Sequence, residues 1–346
     1  MPRLYVGYHE STMMKSSESL LRESSIITLS NDQTMYLTKV MRIFNKGKRR
    51  KSSGAISPDE GNDDIDISTC IRVFDGVNGE WLCQVLEPAL SNDSRTKSSR
   101  RIKSPTPSLQ ARCIIKLREQ ISSSNSNYPW LFFAPIKKQR AKLLVEKCTE
   151  LGISRFYPII TDHTDPSSAE ACVEVYNDNL GDTLSLLYST PDSSRRSGSK
   201  DLDKLSAIAI EAAEQSEQLS IPIFLSINNH ENGIESSVER LLREWKAFSK
   251  DSRALLICRE RTEDNPDVVP LLKALKLHCQ KSVAFLIGPE GGWSKKEEAL
   301  FDEYSKMYPE SIVGISLGSN ILRAETAGIT AIAGYSLWTN EYGPEQ

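Results

Sequence analysis

The chain has 346 residues, 39% hydrophobic and 26% charged, the proportions of an ordinary soluble protein long enough for two domains with separate cores. A formal net charge of −3 excludes wholesale electrostatic coating of nucleic acid, while a local basic patch depends on placement rather than on the sum. No apolar run approaches the ~20 residues of a membrane helix, and the cysteines at 70, 83, 113, 148, 172, 258 and 279 lack CxxC spacing, which excludes the common zinc and redox motifs.

A reduced compartment is therefore the default for these thiols. The histidines (9, 163, 230, 278) are scattered, so no metal site is expected. Met1–Tyr5 leads directly into domain-like sequence without an apolar signal core, and secretion is not expected. Serines and arginines around 11–25 have a faint transit-peptide composition, against which the acidic residues among them count.

Residues 1–121 read as a β-rich domain. Ile26–Leu29 is a short strand, and Tyr36–Phe44 places Leu37, Val40 and Met41 at helical spacing. Cys70–Phe74 and Trp81–Leu86 flank Asp75–Gly76–Val77–Asn78–Gly79–Glu80, a hairpin connection. Short strands, one helix and a hairpin suit a small barrel. Residues 46–68 run from a basic cluster through Ser, Gly and Pro to an acidic one, and 91–108 are rich in Ser, Arg and Lys. Neither has apolar periodicity, so both read as disordered insertions.

After the polar Ser122–Asn127 linker, a second domain spans 128–342. Strand Trp130–Ala134 precedes a helix ending at Leu151, with Leu144, Cys148 and Leu151 as its buried stripe and Gly152 as its stop. Lys137 and Arg140 sit in the first turn, either as a solvated face or as phosphate contacts beside a strand's carboxyl end. Strand Phe156–Ile160, a polar insertion around Ser189–Lys200, helix Leu205–Gln215, helix Val238–Phe248, strand Ala254–Cys258, helix Val268–Cys279 and strand Val283–Ile287 follow. Such β/α alternation predicts a parallel sheet covered by helices on both faces. No GxGxxG follows the domain's first strand, which removes the main support for a dinucleotide-binding reading.

Two glycine-bearing loops close the domain. Leu286–Ile287–Gly288–Pro289–Glu290–Gly291–Gly292–Trp293 leads from a buried strand into a helix announced by the Ser294/Glu297 capping box. Strand Ile312–Leu317 then enters Gly318–Ser319–Asn320–Ile321–Leu322–Arg323, and a small-residue helix starts at about Ala324. Glycines let backbone approach a ligand and helix N-termini favour anions, so the pair reads as one ligand pocket. Gly291 is expected to exclude a side chain, through the ligand's space or through positive φ. Ala324, Gly328 and Ala331 give the last helix a smooth face, for packing on its own sheet or against a second copy.

These motifs resemble the ribosomal RNA small subunit methyltransferase E family. Phe285–Trp293 followed by Ser316–Ala327 is the densest match, and Met41–Arg42, Phe74–Asp75–Gly76, Lys137, Arg140, Lys147, Glu150–Leu151–Gly152 and Ala213–Ser216 extend it. The resemblance implies an α/β fold, a SPOUT-type trefoil-knotted parallel sheet preceded by a PUA-like RNA-binding β-barrel. It implies S-adenosylmethionine as cofactor and methylation of uridine N3 in small-subunit ribosomal RNA by a cytoplasmic homodimer, with a mitochondrial or plastid matrix as the alternative location. Membrane is not an expected partner. Cofactor contacts are expected from Leu286, Gly288, Pro289, Glu290, Gly291, Gly292, Leu317, Gly318, Asn320, Leu322 and Thr326. RNA contacts are expected from Arg3, Arg42, Lys137 and Arg140.

Methylating the imide nitrogen requires loss of its proton. Glu325 is the candidate acceptor and Arg323 the candidate stabiliser of a uracil oxygen, unless the two form a structural ion pair. Departures from the family pattern are His163 in place of a cation, and Gln218 and Ser220 where arginines are usual. With the two insertions, they leave a non-catalytic RNA-binding assembly factor as the alternative.

Overall fold

A computed structural model describes residues 1–7, 21–44, 66–86, 108–119, 128–170, 200–224, 237–248, 253–260, 268–278 and 282–342. The expected Ser122–Asn127 linker and nearly all of the three polar insertions (46–68, 91–108 and Ser189–Lys200) lie outside them. The chain divides into two compact units, Met1–Ser122 and Ser123–Gln346.

In the first unit, β1 (Arg3–Tyr5), β2 (Ile26–Thr28), β3 (Cys70–Phe74), β4 (Glu80–Leu86) and β5 (Gln110–Arg118) form one open sheet in the order β1-β3-β4-β5-β2. All its pairings are antiparallel except β1 with β3. Alternation puts Ile71, Val73, Trp81, Cys83, Val85, Ala111 and Cys113 into its core. The β3–β4 hairpin turns where expected. Gly76 and Gly79 take φ of 84° and 82°, and Asp75 Oδ1 accepts from the amides of Val77 and Asn78. Register shifts near Glu80 and Leu82 bend β4 against β5.

Tyr36–Phe44 departs from a single amphipathic helix. Short α1 (Asn31–Met35), capped by the Ser30/Gln33 box, runs into a π-turn at Tyr36–Val40 closed by Met41 N–H on Tyr36 O at 3.0 Å. Widening the turn rotates later side chains off the stripe. Leu37 is fully buried, whereas Val40 and Met41 are 67% and 42% exposed.

The opposite face of the sheet carries a buried charge cluster. Glu80 accepts from Arg3 Nε at 2.6 Å and Arg118 Nε at 2.7 Å, with Arg72 Nη1 at 3.9 Å. The Arg3 guanidinium also lies 3.9 Å above the Phe74 ring. Burial opposes the Glu80 charge, but the hydrogen bonds from Arg118 and Arg3 outweigh it and hold the carboxyl below the usual carboxylate range.

The second unit is a seven-stranded sheet, parallel throughout, in the order β10-β12-β9-β11-β6-β7-β8. Its strands are β6 (Trp130–Phe133), β7 (Arg155–Pro158), β8 (Ile223–Phe224), β9 (Arg253–Cys258), β10 (Val269–Pro270), β11 (Ser282–Ile287) and β12 (Ile312–Ser316). Helices α2 (Lys138–Glu150), α3 (Pro166–Glu170), α4 (Lys200–Gln215), α5 (Ser237–Phe248), α6 (Leu271–Leu277), α7 (Lys295–Met307) and α8 (Ala324–Tyr342) connect and cover them.

Alternate strand residues feed two cores. Leu131, Phe133, Phe285 and Ile287 pack with Leu144, Leu205, Ala274 and Ala331 of α2, α4, α6 and α8. Phe132, Leu255, Ala284 and Leu286 pack with Leu242 and Trp245 of α5 and Phe301 of α7. All of β11 is buried, as its unbroken apolar run requires.

The expected helix Val268–Cys279 is shorter than its pattern, because Pro270 biases Val269 toward extended backbone. Val269 and Pro270 form an edge strand on β12 instead, and α6 starts at Leu271. The smooth stripe of α8 resolves toward self-packing. A Cβ on Gly328 would lie 2.6 Å from Leu144 Cδ1, and Ala331 is fully buried.

Glu80→Gln is expected to cost about 3–5 kcal/mol, the range for stranding buried charges. Glu80 stabilises the fold above the unfolded carboxylate range, about pH 4.3, and that contribution fades as pH falls through its lower folded value. Denaturant titrations across pH should show a flatter acid limb for the variant.

Candidate active site

Because every strand of the large sheet runs the same way, the segments after β6, β7, β9, β11 and β12 emerge at one edge. From β6 the chain builds β7 and β8 on one side and the other four strands on the opposite side. The crevice outside the carboxyl ends at such a reversal is the common ligand position in open α/β sheets.

The first turn is built on β11. Gly292 N–H donates to Pro289 O at 3.0 Å, and Gly292 adopts φ 69°. Gly288 admits an indole: a Cβ there would meet the Trp293 ring at 2.9 Å. That ring stands edge-on to Phe301 and donates its Nε1–H to Cys258 O at 3.0 Å. Ser294 then starts α7 with the expected capping box to Glu297.

Of the two reasons expected to exclude a side chain at Gly291, positive φ belongs to its neighbour. It is Gly292 that takes positive φ with open space beyond its Cα, whereas a Cβ on Gly291 would lie 3.0 Å from His163 Cβ. Gly291 is small because it packs on a neighbouring turn.

In the second turn Gly318 adopts φ 132°, again beside open space. Ser316 Oγ donates to Gly318 O at 2.9 Å and shapes the exit from β12. Leu317 and Leu322 pack partly on the core, while Asn320, Arg323 and Thr326 are exposed. Helix α8 follows, with Glu325 in its first turn, where the helix dipole favours a carboxylate.

Arg140 joins the two turns. From the first turn of α2, its Nη1 donates to Glu290 Oε1 at 3.0 Å and its Nε lies 3.7 Å from Glu325 Oε1. Glu325 therefore faces Arg140, and Arg323 is left exposed instead of forming the ion pair considered for it. The Glu325 side chain is only 9% exposed, and its Oε2 is buried with no hydrogen-bond partner among the described residues. Such an oxygen is costly in the absence of a donor.

The remaining RNA candidates separate. Lys137 is exposed at the N-cap of α2, near this edge. Arg42 is exposed at φ 51° in the first unit. Arg3 is 4% exposed and neutralises Glu80, so burial takes it off the surface on which an RNA contact was expected. Gln218 donates its amide to the Thr149 carbonyl at the end of α2.

Two supports were missed in the sequence. Arg259, immediately beyond β9, is buried and pairs with Glu298 and Asp302 of α7, anchoring the helix that the first turn enters. A charge directly after an apolar strand was the available signal. Thr161–Thr164, after β7, reaches both the first turn and the start of α7; the sequence marked His163 there as a departure from the family pattern but not as a contact of that turn. No cluster of metal-ligating side chains occurs among the described residues.

A family model for an RNA methyltransferase domain matches residues 124–177 and 183–336. Ribosomal RNA small subunit methyltransferase E of Rickettsia conorii is 25% identical over 270 residues, covering 78% of this chain and 81% of that protein. The Synechocystis protein of the same name is 27% identical over 190 residues, covering 55% and 46%. The crystal structure of ribosomal RNA small subunit methyltransferase E from Neisseria gonorrhoeae bound to S-adenosylmethionine superposes with a TM-score of 0.57 at 18% identity, covering 99% and 98% of the two chains.

Gly292→Ala and Gly318→Ala are each expected to lose about 1–3 kcal/mol, the cost of holding a Cβ residue in a disfavoured backbone region. Urea unfolding checks this. Gly291→Ala, which must displace His163, should perturb the first turn without that backbone penalty.

Proposed function

The chain belongs to the RNA methyltransferase domain family, and from that premise we propose that it transfers a methyl group from S-adenosylmethionine to ring nitrogen 3 of a uridine in small-subunit ribosomal RNA. One observation carries the reading: two positive-φ glycine turns share a sheet edge with a buried carboxylate oxygen that lacks a donor among the described residues. The names of the Rickettsia and Neisseria relatives support the ribosomal substrate.

The residues present fit the cofactor, since Gly292 and Gly318 leave open space where a side chain would stand. The backbone of Gly288–Gly292 and of Leu317–Leu322 would hold it, together with Leu286 and Thr326. When bound, S-adenosylmethionine supplies an already activated methyl group, so correct placement of the base provides much of the catalysis.

Glu325 accepts the imide proton at Oε2, the oxygen that no described residue engages. Arg140 keeps Oε1 engaged and prevents the carboxylate from swinging toward solvent. Arg323, exposed at the head of α8, stabilises the uracil oxygen on which negative charge develops. Lys137 contacts a phosphate at the rim. The N-terminal domain read from the sequence, residues 1–121, holds the RNA. The base must leave its stack for its Watson–Crick edge to be reached.

Labelled cofactor incubated with unmethylated small subunits should yield N3-methyluridine after nuclease digestion. Label at another atom or base refutes the specificity. No label despite tight cofactor binding points to the assembly-factor alternative. Arg323→Ala should lower kcat on the order of 10²-fold with cofactor affinity little changed. Glu325→Gln should lower it about 10²- to 10⁴-fold.

A two-fold homodimer is proposed on the family resemblance, through a surface other than the stripe at Ala324, Gly328 and Ala331. Light scattering at micromolar concentration should give twice the chain mass; an active monomer refutes it.

A further inference from the structure

The turn Thr161–Thr164 projects one imidazole onto the glycine turn after β11. His163 Nδ1 lies 3.1 Å from Gly291 O and 3.2 Å from Gly292 O. Carbonyl oxygens only accept, so Nδ1 carries the proton and shares it between them. The contact also has a steric component, because a Cβ on Gly291 would sit 3.0 Å from His163 Cβ.

The imidazole stands on a braced platform. Thr161 N–H donates to Thr164 Oγ1 at 2.9 Å, and Thr164 N–H returns to Thr161 O at 3.1 Å. Asp162 N–H donates to Glu297 Oε1 at 3.1 Å, and Asp162 Oδ2 accepts from Ser294 Oγ at 2.5 Å. The platform is thereby fastened to the cap of α7, the helix that the glycine turn enters. A planar trans peptide points its N–H opposite its C=O. Holding Gly292 O against His163 thus aims the Trp293 N–H away from the imidazole.

We propose that His163 is a positioning residue for methyl transfer: its Nδ1–H clasps the Gly291 and Gly292 carbonyls and holds the turn in the shape that receives the cofactor. The proposal rests on the reading of that turn as a cofactor loop. It gives an imidazole a reason to stand where a longer cationic side chain was expected. Gly291 and His163 form one fitted pair, and the positive φ at Gly292 is maintained from outside the turn as well as by its own 3.0 Å bond to Pro289 O.

His163 is exposed, so its replacement leaves the cores intact. Three proteins decide the matter: wild type, His163→Ala, and His163→Asn, whose side-chain amide can supply a donor near the place of Nδ1. Amide hydrogen exchange of residues 286–294, measured without ligand, reads the clasp itself. Exchange should quicken in the alanine variant and return toward wild type in the asparagine variant; unchanged exchange overturns the proposal.

Calorimetric titration with S-adenosylmethionine should show about tenfold weaker binding for alanine, the order expected for one lost hydrogen bond, and recovery to within a few-fold for asparagine. In methyl transfer to RNA, the alanine variant should raise KM for the cofactor, with KM for RNA and kcat at saturation little changed. Unaltered cofactor affinity with a raised KM for RNA would overturn the clasp and make His163 a nucleic-acid contact. Failure of the wild type to bind the cofactor, with exchange still responding to His163, would refute the methyltransferase reading separately.

Discussion

Parallel pairing of β11 between β9 and β6 is the constraint from which the site follows. Both faces of β11 are buried, so it cannot be solvated and must lie inside the sheet rather than at its edge. Once it runs parallel to β12, β9, β6 and β7, the segments that leave those strands must crowd one edge. Segments more than a hundred residues apart in the chain become neighbours without any attraction of their own. The polar contacts at the edge then select among loop shapes that the hydrophobic sheet has already brought together.

Arg140 is the most economical of those contacts. One guanidinium reaches a glutamate of the first glycine turn and one of the helix that the second turn enters, and its planar fork suits two carboxylates better than an ammonium would. Its charge is roughly a third exposed, so its value lies in geometry rather than in stability. The carboxylate it leaves half-satisfied, Glu325, is the group that a functional site would keep at some cost to folding.

Much of the sheet was legible because buried parallel strands write unbroken apolar runs and helices write stripes. Val283–Ile287, Leu144 with Cys148, and the Ser294 capping box were readable from local pattern alone. The failures share a cause in backbone geometry that side-chain periodicity does not encode. The π-turn after Met35 kept a helical spacing while turning Val40 and Met41 outward, and Pro270 converted the start of a helical pattern into an edge strand. At the candidate site, the motif letters pointed to two loops but not to the partners within them. Glu325 faces Arg140 and not Arg323, Gly291 faces His163 and not open space, and Arg3 is consumed by Glu80. Those pairings are tertiary: each joins residues brought together by the fold rather than by local spacing.

The meeting of Gly328 with Leu144 extends this logic into the interior. Gly328 lies three residues after Glu325, a rise of about 4.5 Å along α8, and Leu144 lies four residues after Arg140, on one face of α2. A methyl group added at Gly328 would meet the free end of the Leu144 side chain, between the two helices whose opening turns carry the opposed charges. Leu144 can turn within the core, so it takes up the clash before the spacing of Arg140 and Glu325 does. This buried packing position is therefore tied to the site through one leucine, although it touches neither glycine turn.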